Sequence, residues 1–360
     1  MKMFELSQIL DLPPFSLAKN DKAALHEDVL SELTKHHYAN CTHYRKILDM
    51  LGFDPGISYA LDNMPFIPVR LFKDYKLLSV DESNIIKTMT SSGTTGQNVS
   101  RIFLDRITAI NQTKVLAKIV SSFTGPKRLP MLIIDTKSVL KDRNLFSARG
   151  AGILGFSMLG YDVTYALDEN MELDVDAVAT FCSKHRDENI LIFGFTFMIW
   201  EYFYKKLAKL DKRLDLEYSV TIHGGGWKKL GEEAVDNETF KHLLKDVCGI
   251  KRLHNYYGMV EQTGSIFMEC EAGFLHSSIF SDVMMRKTDF SLCDMGQTGL
   301  VQLFSLLPFS YPGHILLSED TGEIMGEDDC SCGRLGKYFK IHGRLMDAEI
   351  RGCSDTYESI

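Results

Sequence analysis

The chain has 360 residues, 45% of them hydrophobic, enough for one large domain with a subdomain or for two domains. Its formal net charge of -8, with no Lys/Arg run longer than two residues, excludes nucleic acid as an expected partner, and its most apolar window, Ile190 to Tyr204, falls short of the ~20 apolar residues of a membrane span. Eight scattered cysteines, and an opening stretch Met1 to Leu12 without an apolar leader, point to a reducing, cytoplasmic setting.

Asp21 to Met50 carries apolar residues at helical spacing (Leu25, Val29, Leu33) and predicts an N-terminal helical region over 1–63. Pro65 and Pro68 end that pattern. An α/β region over 64–264 follows, in which short β-rich runs alternate with helical stretches, the rhythm of crossover units on a mainly parallel sheet. The expected strands are Ile85 to Thr90, Met131 to Asp135, Asp162 to Ala166, Ile190 to Gly194, Ser219 to His223 and Arg252 to Tyr256. The expected helices are Arg106 to Phe123, Leu145 to Leu159, Asp174 to His185, Thr196 to Leu210 and Gly231 to Val247. Beyond a boundary near Gly264, the runs Ser265 to Glu269, Leu275 to Ile279, Asp282 to Arg286, Leu300 to Leu306 and Tyr338 to Ile341 predict a β-rich region over 265–360 with short antiparallel strands.

The segment Thr90-Ser91-Ser92-Gly93-Thr94-Thr95-Gly96-Gln97 follows a predicted strand and is expected to lead into a helical stretch. Glycines let backbone N–H groups approach an anion and hydroxyls add donors without bulk, which suits a polyphosphate. The bland alternative is a surface loop rich in Ser, Thr and Gly. A Walker loop is excluded, because the terminal Gly-Lys-Ser/Thr is missing. The segment resembles the phosphate loop of the adenylate-forming superfamily of acyl-CoA synthetases, with Gln97 and Asn98 where those loops usually carry a lysine.

Further motifs occur in that superfamily's order. Asn255-Tyr256-Tyr257-Gly258-Met259-Val260-Glu261 is similar to its Asn-x-Tyr-Gly-x-Thr-Glu segment; the resemblance implies that the aromatic backs adenine and that Glu261 holds Mg2+, a hard cation suited to carboxylate oxygen. Val260 replaces the threonine. His223-Gly224-Gly225-Gly226-Trp227 resembles the nucleotide-pocket turn, while His223 itself reads as a hydrogen-bonded histidine rather than a catalytic one. Ser318-Glu319-Asp320-Thr321-Gly322 resembles the segment whose aspartate binds the ribose hydroxyls, which assigns Asp320. Gly343-Arg344-Leu345-Met346-Asp347 resembles the hinge motif, whose arginine approaches ribose and phosphate; by themselves Arg344 and Asp347 would be a surface ion pair.

The chain stops soon after that motif. This shortness, with Met64 to Lys73, Gly224-Gly225-Gly226-Trp227-Lys228 and the end Arg351-Gly352-Cys353-Ser354, resembles the acyl-protein synthetases of bacterial bioluminescence fatty-acid reductase complexes. The resemblance implies the large domain of an adenylate-forming enzyme, a parallel-sheet α/β region plus a β-rich subdomain, without the usual small C-terminal domain. It implies ATP and Mg2+ as cofactors, a carboxylic acid as substrate, Cys353 as acyl carrier and a reductase or other protein as acceptor. A thiolate attacks a mixed anhydride readily, so the chemistry agrees. Transfer to coenzyme A, and a non-catalytic nucleotide-binding subunit, stay open.

Cys330-Ser331-Cys332, with Cys270 and His276 upstream, supplies four ligands of the types structural Zn2+ takes; the alternative is four unlinked residues. Cys41, Cys182, Cys248 and Cys293 read as buried small apolar residues, and Phe193, Phe195, Phe197 and Trp200 as core rather than the lining of an acyl tunnel.

Overall fold

The computed structural model describes residues 6–91, 99–140, 148–210 and 214–345. In chain order the strands are β1 (Ile67–Pro68), β2 (Ile85–Thr90), β3 (Arg101–Asp105), β4 (Leu129–Thr136), β5 (Gly160–Leu167), β6 (Ile190–Phe195), β7 (Ser219–Gly224), β8 (Arg252–Tyr257), β9 (Phe267–Glu269), β10 (Leu275–His276), β11 (Ser281–Arg286), β12 (Gly299–Ser305), β13 (Ile315–Glu327) and β14 (Lys337–Arg344). The described residues divide into two compact units, one made of 6–91, 99–119 and 258–345 and the other centred on 120–257.

The second unit is built on parallel strands in the order β5-β4-β6-β7-β8. β4, β6 and β7 are buried almost throughout, which is why their sequences read as continuous apolar runs rather than alternating ones. The connecting helices carry ordinary stop and start signals. Asp174 accepts a bond from Ala177 N at the head of Val175–Lys184, and Asp236 does so from Thr239 N at the head of Asn237–Cys248. Gly249 closes the latter helix with φ of 78°. Residues 196–207 are helical, but the middle turn, Ile199–Tyr204, is a π-helix that buries Trp200 and Phe203. Phe193, Phe195 and Trp200 lie in the core, as their spacing suggests. Between Gly231 and Val247 the expected single helix is instead a 3-10 stretch, Lys228–Glu233, an extended Ala234, and then the Asn237–Cys248 helix.

The first unit carries an antiparallel sheet in the order β11-β12-β13-β14-β10-β9, with β1 added in parallel to β13. β13, the longest of these strands, was not expected, because Glu319, Asp320, Gly322, Glu323 and Gly326 interrupt any period-2 pattern. β3 was not expected either. The loop after β2 returns into β3 as an antiparallel hairpin, not into a helix, so β2 belongs to a separate two-stranded sheet.

The N-terminal region folds as helices Lys19–Asn40 and Thr42–Met50, broken at Cys41, whose backbone is extended. The buried face of the first helix is Lys22, His26, Val29, Leu30, Leu33, Thr34 and His37, whereas Leu25 is only half-buried. Each polar member of that face is bonded. Lys22 Nζ donates to Ser277 Oγ at 2.8 Å and pairs with Asp282 at 3.4 Å, and Lys337 reaches the other Asp282 oxygen at 2.8 Å. His37 spans Ser79 Oγ (2.7 Å) and Pro308 O (3.1 Å), and Thr34 bonds His314 at 2.9 Å. Cys41 and Cys248 are buried as expected, but Cys182 and Cys293 are partly exposed.

Candidate functional site

In the first unit, β2 and β3 close the base of the proposed phosphate loop. Thr90 lies opposite Arg101, Ser91 N donates to Ser100 O at 3.1 Å, and Ser91 Oγ accepts from Ser100 N at 2.9 Å. The Ser91 oxygen thus fixes the hairpin while its hydroxyl proton remains available to a ligand. Ser92, Gly93, Thr94, Thr95, Gly96 and Gln97 lie outside the described residues, as do Asp347, Arg351 and Cys353.

Glu261 sits on the 3-10 turn Val260–Gln262 and is only 2% exposed. Gln262 pins that turn, donating to Gly313 O at 2.9 Å and Leu303 O at 3.3 Å. Space is tight here: a Cβ on Gly313 would come within 2.3 Å of the Tyr311 ring and 2.7 Å of Glu261 O. Val260, where the superfamily has threonine, packs against the apolar cluster of Tyr44, Phe72 and Tyr311. Carboxylate oxygen is a donor type that Mg2+ takes, so Glu261 is a candidate ligand for it.

Asp320 and Arg344 are brought together. They are cross-strand partners on β13 and β14, with Arg344 Nε 3.5 Å from Asp320 Oδ1 and both side chains partly open to solvent. The local frame is bonded on each side. Asp320 N donates to Ser318 Oγ at 3.1 Å, Leu345 N to Glu319 O at 3.0 Å and Thr321 Oγ1 to Gly343 O at 3.3 Å. The bland alternative for this motif, an ion pair between Arg344 and Asp347, falls on a residue outside the described ones; among the described residues Arg344 pairs with Asp320.

In the second unit, the glycine run and the tyrosine segment occupy the carboxyl ends of the neighbouring parallel strands β7 and β8, the edge at which open α/β sheets take ligands. Gly224 is required, since a Cβ there would sit 2.4 Å from the Tyr256 ring. Gly225 has φ of 78°, a conformation that other residues resist, while a Cβ on Gly226 would meet nothing within 4 Å. Asn255, Tyr256 and Tyr257 are half-buried. His223 is buried, and its Nδ1 bonds Thr196 Oγ1 at 2.9 Å, as the reading of a hydrogen-bonded histidine requires.

The four expected zinc ligands converge. One donor atom from each of Cys270, His276, Cys330 and Cys332 lies within 4.8 Å of all the others. Cys270 and Cys330 sulfurs are 3.9 Å apart, and Cys332 Sγ is 3.4 Å from His276 Nε2. With Zn–S of about 2.3 Å and Zn–N of about 2.0–2.1 Å, a tetrahedron has ligand separations of about 3.5–3.8 Å, close to the 3.9 Å and 3.4 Å of these two pairs. Two tight turns do this: Cys270 N bonds Phe274 O, and Gly333, with φ of 78°, bonds Cys330 O. Burial raises the Cys270 thiol to about 12 and lowers His276 to about 4. Burial would also raise Cys332, but bonds from the Arg334 backbone, Cys330 and the Arg334 side chain hold it below the ordinary thiol value.

The family model for "Acyl-protein synthetase, LuxE" matches residues 4–359. The chain belongs to this family. A long-chain-fatty-acid–luciferin-component ligase of Vibrio harveyi is 22% identical over 334 residues, covering 89% of this chain and 84% of that protein. A phenylacetate-coenzyme A ligase of Thermus thermophilus is 26% identical over 352 residues, covering 93% and 73%. Among solved structures, 2-hydroxyisobutyryl-CoA ligase in the postadenylation state superposes with a TM-score of 0.70 at 12% identity, over 91% of this chain and 69% of that one, which establishes the adenylate-forming fold. This LuxE-family chain is accordingly an ATP-dependent acyl-activating ligase. No helix among the described residues is long and apolar enough to cross a membrane.

Sequence reading missed Thr196 and the Asp320–Arg344 pairing. Thr196 carried a weak signal in its place directly after an apolar strand; the pairing carried none, because it depends on the register of two strands.

Proposed function

We propose that this LuxE-family chain activates a long-chain fatty acid as its acyl-AMP and passes the acyl group to Cys353, from which a reductase subunit takes it. In the first step the carboxylate attacks the α-phosphorus of ATP, the bond to the β-phosphate breaks and pyrophosphate leaves. Thr90 and Ser91, with Ser92, Gly93, Thr94, Thr95 and Gly96, hold the phosphates; Gly224, Gly225, Gly226, Asn255, Tyr256 and Tyr257 receive the base; Asp320 accepts from the ribose hydroxyls, and Arg344 meets ribose and phosphate. Mg2+ on Glu261 would neutralise phosphate charge. Catalysis is positioning and charge stabilisation. In the second step the Cys353 thiolate attacks the acyl carbonyl, the carbon–oxygen bond to phosphate breaks, and AMP departs with the electron pair.

What supports the reading most is that one family match spans residues 4–359, a range that contains all of these motifs and Cys353. Zn2+ on Cys270, His276, Cys330 and Cys332 is the structural part of the proposal, supported by the mutual approach of the four donors.

The test is incubation with ATP and radiolabelled acids of different chain length. Hydroxylamine-sensitive label on the protein, lost in Cys353→Ala while acid-dependent pyrophosphate exchange persists, is the expected result. Label that survives in Cys353→Ala overturns the carrier role. The likeness to a phenylacetate-coenzyme A ligase favours a second reading, in which coenzyme A is the acceptor. It requires acyl-CoA formation by Cys353→Ser at the rate of the unaltered protein.

A further inference from the structure

At the carboxyl edge of the second unit's sheet, one hydroxyl ties two strand ends together. Thr196 directly follows β6; its Oγ1 lies 2.9 Å from His223 Nδ1 and donates to Gly224 O at 3.2 Å. A hydroxyl has one proton. With that proton on the Gly224 carbonyl, Thr196 accepts from His223, so the imidazole carries its hydrogen on Nδ1. Burial, with the charges of Lys241 and His254, pushes His223 down to about 3, so the ring stays neutral near neutral pH.

The carbonyl so held begins the triple-glycine bend. The Tyr256 ring fills the space where a Gly224 side chain would be, and Gly225 holds a left-handed conformation with φ of 78°. With glycine on both sides, no Cβ hinders rotation of the peptide between Gly224 and Gly225, which would change that φ, and the same peptide carries the oxygen that Thr196 grips. Thr196 is 6% exposed, too enclosed to be read as a ligand contact.

We infer that Thr196, oriented by His223, is a positioning residue for nucleotide binding: it fixes the Gly224–Gly225 peptide, and with it the bare backbone on which the base lies. The inference rests on the reading of Gly224 to Gly226 as the nucleotide turn.

Thr196→Val keeps the shape and removes both bonds, whereas Thr196→Ser keeps both bonds. Loss of one well-placed hydrogen bond corresponds to roughly a tenfold change in affinity. Thr196→Val should therefore raise KM for ATP about tenfold and weaken binding of α,β-methylene-ATP equally in calorimetry, with kcat at saturating ATP within about twofold; Thr196→Ser should bind as the unaltered protein does. A lowered Tm in Thr196→Val with unchanged ATP affinity would reduce the tie to a structural one and overturn the inference. Gly226→Leu separates this from failure of the underlying reading. A Cβ there meets nothing within 4 Å, which the fold accommodates, and the larger side chain would obstruct a base lying on the bend. Full ATP binding by Gly226→Leu rejects the nucleotide turn itself; impaired binding by Gly226→Leu but not by Thr196→Val rejects the role of Thr196 alone.

Discussion

For Asp320 and Arg344, magnitude distinguishes the proposed ribose-binding role from a purely structural pairing. Arg344 Nε approaches Asp320 Oδ1 to 3.5 Å, between side chains 31% and 16% exposed. Ion pairs in that setting contribute only about 0–1 kcal/mol to stability. A fixed carboxylate accepting two ribose hydroxyls is worth more, because hydrogen bonds to a charged group contribute about 1.5–3 kcal/mol each. Asp320→Asn should therefore cost less than about 1 kcal/mol in urea unfolding and yet raise KM for ATP by at least tenfold. Unchanged KM with a large loss of stability would mean that the pair only holds β13 to β14.

At the scale of elements, legibility followed burial. β4, β6 and β7 were readable because strands covered on both faces keep an unbroken apolar run, as Met131 to Ile134 and Ile190 to Phe195 do. β13 was not, because its glycines and acidic residues belong to bulges and to Asp320 rather than to an alternating pattern. The Lys19–Asn40 helix was recognised, but its inward face was not. Lys22, His26 and His37 find partners some 40 to 270 positions away, and local spacing cannot report them. The convergence of Cys270, His276, Cys330 and Cys332 was readable from residue type alone, since few other roles bring Cys and His together in turns. These residues lie where the N-terminal segment is fastened. Ile279 N donates to Pro14 O at 2.7 Å, Leu335 N to Phe15 O at 3.2 Å, the Phe15 ring meets His276 edge-on at 6.1 Å, and Lys19 N donates to Asp328 at 2.7 Å. If Zn2+ fixes the two turns, stripping it should loosen this segment. The protein as purified should contain about one zinc per chain, and treatment with a strong chelator should speed tryptic cleavage after Lys19 at least tenfold, an effect that Cys332→Ser reproduces without chelator. Stoichiometric zinc whose removal leaves the cleavage rate unchanged would show that the turns hold the segment without the metal.

Across the whole molecule, buried histidines tie stability to pH. In the first unit burial lowers His26 to about 4 and His314 to about 3, and it carries His37 well below the ordinary value, helped by His314 and His36. In the second unit His223 is lowered to about 3. Each is neutral in the folded state and takes a proton at about 6.5 once unfolded. Between these values the unfolded chain binds more protons, so stability falls as pH drops, by up to about 1.4 kcal/mol per pH unit for each such group. Asp282 acts in a lower window. Burial would raise its pKa, but Lys22 and Lys337 hold it below the ordinary carboxylate value, so its contribution is present above pH ~3.9 and is lost only on further acidification. From pH 7 to pH 5 the histidines therefore set the slope. Tm should fall steeply over that interval, and His314→Asn, whatever it does to Tm at pH 7, should flatten the fall, because one proton fewer is taken up on unfolding. A parallel curve for the variant would show that His314 does not titrate on unfolding, and that the acid sensitivity arises elsewhere.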